Sequence, residues 1–415
     1  MEYKQEIYNI KEEDILSCLQ QPKQSLEFAR TNNEILHDKD FILERNEDFL
    51  NSKFYKNIIK KNIKDIILIG VGGSTLGSQT LYSLNNSDKK FHFFDNLCLD
   101  NFKTFERLMT PDIKKTAFIV ISKSGYTLEV ISQFLILISK LEKKLGSLEE
   151  IKDNFLVIAG SGNNPLKKII TKLGLEFFQH PENIGGRFSV LSIVGMYPAI
   201  LMGLDYELMR KSAQNVKNNF FTESEEKNIA PFMGAVSTFF LASKRNINNV
   251  VIMPYDLRLE KFSQWLSQLY AESLGKGSKG INPILALGPK DQHSQLQLYL
   301  DGPDDKYYTF LFQNQKNQGD QVNHKNLIVD EINYLSKKRI GDLVFAQQES
   351  VLECLINKKR PIRVIRFNNL NEKVMSELFI HFMIETMVIG NLMGLNPFDQ
   401  PAVEEVKRLT KTRLS

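Results

Sequence analysis

Six consecutive residues, Ser122-Lys123-Ser124-Gly125-Tyr126-Thr127, set three Ser and Thr hydroxyls and one ammonium around a glycine. The apolar, β-branched run at 117–121 precedes them and apolar residues at helical spacing follow them through Leu141, so they must turn from a strand into a helix. Hydroxyls, a cation and the free N–H groups of a helix start together suit a phosphate dianion. An ordinary N-cap would use the same Ser and Thr types without any ligand. A second turn, Gly70-Val71-Gly72-Gly73-Ser74-Thr75-Leu76-Gly77, follows the run DIILI and opens a helix with Ser74 at its start. It departs from the dinucleotide pattern G-x-G-x-x-G because Thr75 holds the third glycine position, although Asp95 ends the next strand where a ribose-binding acid would sit. It departs from the nucleotide P-loop as well, since Gly72 and Gly77 have the spacing but Ser78 stands where Lys is required.

Proton-moving and charge-stabilising candidates come later in the chain. Glu272 lies in LEKFSQWLSQLYAESLG, whose apolar stripe is Phe262, Trp265, Leu266, Leu269 and Tyr270; Gln268 and Glu272, at i and i+4, share the flank beside Trp265. A carboxylate at the margin of an apolar face is suited to moving a carbon-bound proton, and by itself it also reads as a solvated helix-end Glu. His293, in GPKDQHSQLQ after INPILALG, can give or take a proton, whereas a surface or capping role is the plain alternative. None of His37, His92, His180, His324 or His381 lies in a motif. Arg187 follows Gly185 and Gly186, which let the backbone approach closely, and its fixed charge suits either an oxyanion or a structural salt bridge. Lys407, next to Arg408, reads on its own as a solvated helical residue. No group of His, Cys, Asp and Glu has the spacing of metal ligands, so neither a metal nor another cofactor is expected.

These residues need elements to hold them. With 415 residues, 42% hydrophobic and 25% charged, the chain has the composition of a soluble globular protein of about two domains. A net charge of +4, from 53 basic and 49 acidic residues spread along the chain, gives no footprint for nucleic acid or a membrane surface. Cys18, Cys98 and Cys354 are far apart and odd in number, which fits a reducing compartment, with Cys98 and Cys354 expected in the core. A start without a basic and apolar leader, and apolar runs no longer than about five residues, point to a cytoplasmic protein.

DIILIG, FHFFDN, AFIVIS, NFLVIAG and LEFF are short apolar runs separated by helix-length segments, and NNVVIMPY, INPILALG, YYTFLFQ and RVIRF repeat that logic. The predicted fold is α/β, with two doubly wound parallel-sheet domains at 51–205 and 229–395. Polar helices over 1–50 are expected to cover the edge of the first domain. The polar stretch 211–228 is expected to be a surface linker, and 314–325 a mobile loop. Residues 396–415 should end in a helix with Asp399 as N-cap and Pro401 in its first turn.

The two turns resemble the sugar isomerase (SIS) fold, which binds phosphosugars. IGVGGSTLGSQ, SKSGYTLE, NIGGRFSVLS, QLYAESLGKG, DQHSQLQ and FDQPAVEEVK stand in the order and approximate spacing of the glucose-6-phosphate isomerase family, from Gly70 to Lys407. The resemblance covers all but about the first 50 residues, and the N-terminal region is shorter than in long members, as in compact bacterial forms. It implies reversible isomerisation of glucose 6-phosphate to fructose 6-phosphate through an enediolate, in a homodimer. By the same resemblance Glu272 is the isomerisation base and Gln268 a substrate contact. His293 and Lys407 act in ring opening, with His293 reaching the neighbouring subunit's site, and Arg187 stabilises the enediolate. Phosphate falls to Ser122, Lys123, Ser124 and Thr127, with Gly73 and Ser74 completing the pocket. Gly125-Tyr126 departs from the aromatic-hydroxyl pair of long members, and Ala271 and Leu274 stand where Met and Asn are usual. A non-catalytic phosphosugar sensor on the same fold and a dual glucose/mannose phosphate isomerase are the alternative readings.

Overall fold

The computed structural model of the chain describes residues 1–19, 21–44, 47–323 and 327–415. Among these residues ten strands occur in chain order: β1 Tyr3–Tyr8, β2 Asp65–Ile69, β3 Lys90–Phe94, β4 Thr116–Ser122, β5 Phe155–Ala159, β6 Glu176–Gln179, β7 Asn249–Pro254, β8 Asn282–Leu285, β9 Lys306–Gln313 and β10 Ile362–Phe367. Seven of the helices position functional groups or join elements: α1 Leu128–Leu145, α2 Pro165–Leu173, α3 Tyr206–Thr222, α4 Ala230–Arg245, α5 Glu260–Leu274, α6 Glu372–Met393 and α7 Ala402–Leu414. The chain divides into two compact units, residues 34–214 and residues 1–33 with 215–415.

The unit of residues 34–214 contains a wholly parallel sheet in the order β3-β2-β4-β5-β6. All seven residues of β4 are buried, which is why TAFIVIS reads as a continuous apolar run rather than an alternating one. Phe118 of β4 stacks on Phe155 of β5 with ring centroids 4.5 Å apart. Helix α1 presents Val130, Phe134, Leu137, Ile138 and Leu141 to that core at helical spacing, and it stops at Gly146, whose φ of 78° is the left-handed conformation that suits a C-cap. Strand β2 has β3 on one side and β4 on the other, so the sheet's switch point opens at the carboxyl ends of β2 and β4. The two turns singled out in the sequence leave these two strands.

In the other unit the order is β1-β10-β9-β7-β8. Strands β7 to β10 are parallel, and β1 runs antiparallel along the edge with Tyr3 opposite Phe367. Strand β7 lies between β8 and β9, which repeats the switch-point pattern. Helix α6 is buried from Val374 to Gly390, packs against α4 and α5, and forms the centre of the unit.

Several expectations need correction. Residues 3–8 form an edge strand rather than part of a helix, and Met1–Asn33 belong to the unit of residues 215–415. Only Tyr3 of β1 is buried, so the strand lacks an apolar signal and is held mainly by main-chain pairing to β10. Most of the predicted linker is the C-terminal part of α3 and a short turn, Glu226–Asn228. Pro401, not Asp399, holds the N-cap position of α7, and Asp399 pairs with Lys276 at 2.7 Å. Cys98 and Cys354 are exposed, and Cys18 is the partly buried cysteine, its thiol pushed up to about 11 by burial. The segment 314–323 contains no helix or strand, while His324 and the end of the predicted loop lie outside the described residues.

Phe118→Ala tests the stacked core of the first sheet. Deleting a fully buried aromatic ring should cost about 3–5 kcal/mol in urea unfolding, and a loss below about 1 kcal/mol would mean that the β4–β5 stack does not organise this core.

Candidate active site

Each unit brings its own set of groups. At the end of β4, the buried Ser122 donates its Oγ–H to Thr127 Oγ1 at 3.1 Å and accepts the Gly125 N–H at 3.2 Å. Ser124 Oγ accepts the Tyr126 N–H at 3.1 Å. Thr127 occupies the N-cap position of α1, yet its hydroxyl makes no capping bond, which speaks against the plain capping alternative. Geometry leaves the first-turn N–H groups of α1 without intrahelical partners.

The turn is fastened to its neighbour. Gly125 has φ +65°, and a Cβ there would lie 1.9 Å from Asn164 Oδ1, the atom that caps α2 by accepting the Lys167 N–H at 2.8 Å. The Lys123 carbonyl accepts the Gly160 N–H at 3.0 Å, and the Gly125 carbonyl accepts that of Leu166 at 3.2 Å. Lys123 is half-buried. Burial first, and then the Arg187 guanidinium, hold its ammonium below the usual lysine range, partly offset by Glu182. An anion arriving there would offset the Arg187 repulsion.

The turn after β2 meets the turn carrying Arg187 backbone to backbone. A Cβ on Gly73 would lie 2.1 Å from the Gly186 carbonyl carbon and 2.5 Å from the Arg187 nitrogen, so only glycine allows this approach. Arg187 is only 2% exposed and lies over the Phe188 ring at 5.4 Å. Ser74 ends the short helical turn Gly72–Ser74 and is partly exposed. Asp95, the ribose-acid candidate, accepts the side-chain amide of Gln79 at 2.6 Å.

Two residues at this end of the sheet were missed from the sequence. His180 and Glu182 follow β6 and line a cleft of about 280 Å³ with Lys123, Ser124, Tyr126 and Ser161. His180 is fully buried and its Nδ1 lies 2.9 Å from the Pro181 carbonyl, while Nε2 has no partner among the described residues. Burial holds the imidazole down at about 4, and Lys123 adds to that shift against the opposing Pro181 hydrogen bond. The available signal was position, since His180 immediately follows a strand of the sheet and Glu182 lies in the same turn.

In the other unit, Gln268 Nε2 donates to Glu272 Oε1 at 2.8 Å on the partly exposed flank of α5. The buried Gln268 Oε1 has no partner among the described residues. His293 ends the short turn Lys290–His293 after β8; it is exposed and lacks a hydrogen-bond partner among the described residues. Lys407 lies on α7, a helix with no buried residue, and pairs with Glu404 at 2.6 Å in an exposed contact of small energetic weight.

Two doubly wound units, one with an anion-ready turn at its switch point, define the sugar isomerase class of α/β proteins. The crystal structure of a glucose-6-phosphate isomerase from Chlamydia trachomatis shares this fold, with a TM-score of 0.77 at 19% identity over 100% of this chain and 88% of that one. The phosphoglucose isomerase family model matches residues 33–414, and the chain belongs to that family. A glucose-6-phosphate isomerase of Methanocaldococcus jannaschii is 32% identical over 381 residues, 92% of this chain and 90% of that protein. A hypothetical protein from Thermus thermophilus has a solved structure with a TM-score of 0.86 at 27% identity, covering 99% of this chain and 100% of that one.

The Gly73 contact can be tested against a glycine with room to spare. Gly73→Ala should destabilise the unit of residues 34–214 by about 1–3 kcal/mol in urea unfolding, since two backbone segments must part. Gly162→Ala, whose added methyl would meet nothing within 4 Å, should stay within about 0.5 kcal/mol of the parent. Equal effects in the two variants would sink the claim of a required close approach.

Proposed function

We propose that the protein interconverts glucose 6-phosphate and fructose 6-phosphate by opening the sugar ring and moving a proton between C1 and C2 through a cis-enediolate. The observation that carries this reading is the turn of residues 122–127 at the switch point of its sheet, in a chain that belongs to the phosphoglucose isomerase family. Ser122, Lys123, Ser124 and Thr127 hold the phosphate, with Gly73 and Ser74 completing the pocket. Lys123 supplies the charge, and its depressed ammonium regains proton affinity when a dianion binds. Glu272 takes the proton from one carbon and returns it to the other, and Gln268 orients the carboxylate while contacting the substrate. The fixed positive charge of Arg187 stabilises the enediolate oxygen.

His293 and Lys407 move the proton of the ring oxygen. The imidazole of His293, exposed and without a hydrogen-bond partner among the described residues, supports a two-fold homodimer in which it serves the neighbouring subunit's site. The free state of all three cysteines supports a cytoplasmic location. The reaction draws its acid, base and cation from side chains, so it should proceed without a metal or nucleotide.

A coupled assay with fructose 6-phosphate in excess chelator tests the activity itself. Turnover is expected; sugar-phosphate binding without turnover would point to a sensor, and chelator-sensitive turnover would refute the metal-free reading. In the same assay Lys123→Ala should weaken apparent affinity by about 1.5–3 kcal/mol and Thr127→Val by about 0.5–1.5 kcal/mol. Because burial and Arg187 lower the Lys123 ammonium, affinity should begin to fall with rising pH below the ordinary lysine range, and Lys123→Arg should remove that decline. Unchanged Michaelis constants in Lys123→Ala and Thr127→Val would put the phosphate elsewhere.

Glu272→Gln should abolish proton transfer between C1 and C2 while the sugar anomers still interconvert, and His293→Ala should slow the closed ring far more than an open-chain substrate. Mixed dimers of these two variants should regain activity, because one of the two sites then contains both defects and the other neither. No recovery in verified mixed dimers would assign His293 to its own chain's site.

A further inference from the structure

Helix α5 carries Glu272, and neither of its ends is held by a side-chain cap. Its N-cap, Leu259, makes no side-chain bond, and its C-cap, Gly275, is not in the left-handed conformation. Its buried face, with Phe262, Trp265, Leu266 and Leu269, packs mainly by dispersion, which sets the face that turns inward. A directional contact is made on this face: the Tyr270 O–H donates to Glu385 Oε1 of α6 at 2.5 Å. Tyr270 is fully buried.

Glu385 is itself fixed from several sides. Arg363 of β10 donates Nη1–H to Oε2 at 2.6 Å, with both side chains fully buried. Arg363 Nη2 donates to Thr309 of β9 at 3.1 Å. His381 lies 3.1 Å from Glu385 through Nε2 and 2.6 Å from the Tyr3 hydroxyl through Nδ1. One tautomer serves both contacts, with Nε2–H donating to the carboxylate and Nδ1 accepting from Tyr3. Burial works against the Glu385 charge, yet Arg363 and His381 hold the carboxyl below its ordinary range, so it remains an acceptor. The network also requires glycine on α4, since a Cβ at Gly234 would lie 2.4 Å from Arg363 Nη1 and 2.5 Å from Glu385 Oε2.

We propose that Tyr270, seated on Glu385, is a positioning residue for Glu272, fixing the rotation of α5 and with it the direction of the Glu272 carboxylate. The two residues are two positions apart, so they project from nearly opposite sides of the helix, and any roll that breaks the Tyr270 contact swings Glu272 the other way. With side chains reaching about 5–6 Å from the axis, a roll of about 10° displaces the carboxylate by about 1 Å. A misplacement of that size can cost about a hundredfold in rate. The inference rests on the reading of Glu272 as the base.

Tyr270→Phe removes the hydroxyl and keeps the ring. It should lower kcat about 10- to 100-fold with KM within about threefold of the parent. The isotope effect on C2-deuterated glucose 6-phosphate should rise, because a misaimed base makes proton transfer more rate-limiting; a smaller fraction of folded enzyme would leave the isotope effect unchanged. Glu385→Asp, which withdraws the carboxylate from Tyr270 but keeps its charge, should behave alike and serves as the second variant should Tyr270→Phe fold poorly. Thr309→Val weakens the same network away from α5 and should keep the parent's kcat and isotope effect.

A parental kcat in Tyr270→Phe, alongside an inactive Glu272→Gln enzyme, would overturn the positioning role alone. An active Glu272→Gln enzyme would overturn the base and the positioning role together. An equal loss of kcat in Thr309→Val, or failure of both Tyr270→Phe and Glu385→Asp to fold, would reduce the network to a purely structural one.

Discussion

An ion pair shut away from water is tolerable only when the hydrogen-bonding edges of both charges are largely met, and the unit of residues 1–33 and 215–415 is arranged around meeting that condition for Arg363 and Glu385. Six elements contribute: Tyr3 from β1, Gly234 from α4, Tyr270 from α5, Thr309 from β9, Arg363 from β10, and His381 with Glu385 from α6. Removing one charge of such a pair leaves the other uncompensated, at a cost of about 3–5 kcal/mol. An apolar replacement of the same volume could be equally stable, but it would specify no direction. What the charges add here is orientation among a helix, a sheet and an edge strand that dispersion alone would hold less selectively.

The other unit solves a different problem. Its core, from Ile67 to Leu175, is apolar, and its charged and hydroxyl groups are kept at the carboxyl ends of β2, β4 and β6. Two close backbone approaches, Gly73 on Gly186 and Gly125 on Asn164, fix where those groups can stand. Glycine there is a spacing device, and the groups of the 122–127 turn are placed by backbone contacts to the neighbouring turn together with the Ser122–Thr127 hydrogen bond. Lys123 shows the consequence: it is partly desolvated and set near another cation, which holds its ammonium below the usual lysine range.

Much of this was legible in the sequence because the signals are local. Nine of the ten strands follow from apolar runs, most plainly β4, β5 and β9, which are buried along their whole length and so largely apolar on both faces. The turn at 122–127 was legible from residue types alone. Strand β1 was not, because an edge strand needs main-chain pairing more than apolar side chains, and YKQEIY offers one buried residue. His180 was passed over because its meaning comes from burial beside Lys123, a neighbour 57 positions away in sequence by 180 − 123. Cys98 and Cys354 were misplaced for a related reason: cysteine's general preference for the interior gives no information about which face of an element a given residue occupies. Roles for Glu272, Arg187, His293 and Lys407 came from the family blocks, since a lone Glu, Arg, His or Lys has no distinguishing local pattern.

The antiparallel edge strand bears on how the chain is made. Residues 34–214 are contiguous, and that unit can close while the rest is still being synthesised. Tyr3, by contrast, is separated from His381 by 378 positions. At about 5–20 residues per second, β1 must wait roughly 20 to 75 seconds for its partners. Throughout that interval β1 is an unpaired edge, and Lys4 and Glu6 on it oppose pairing with a wrong strand. The polar character that hid β1 from a reading of the sequence is thus the property that suits it to waiting.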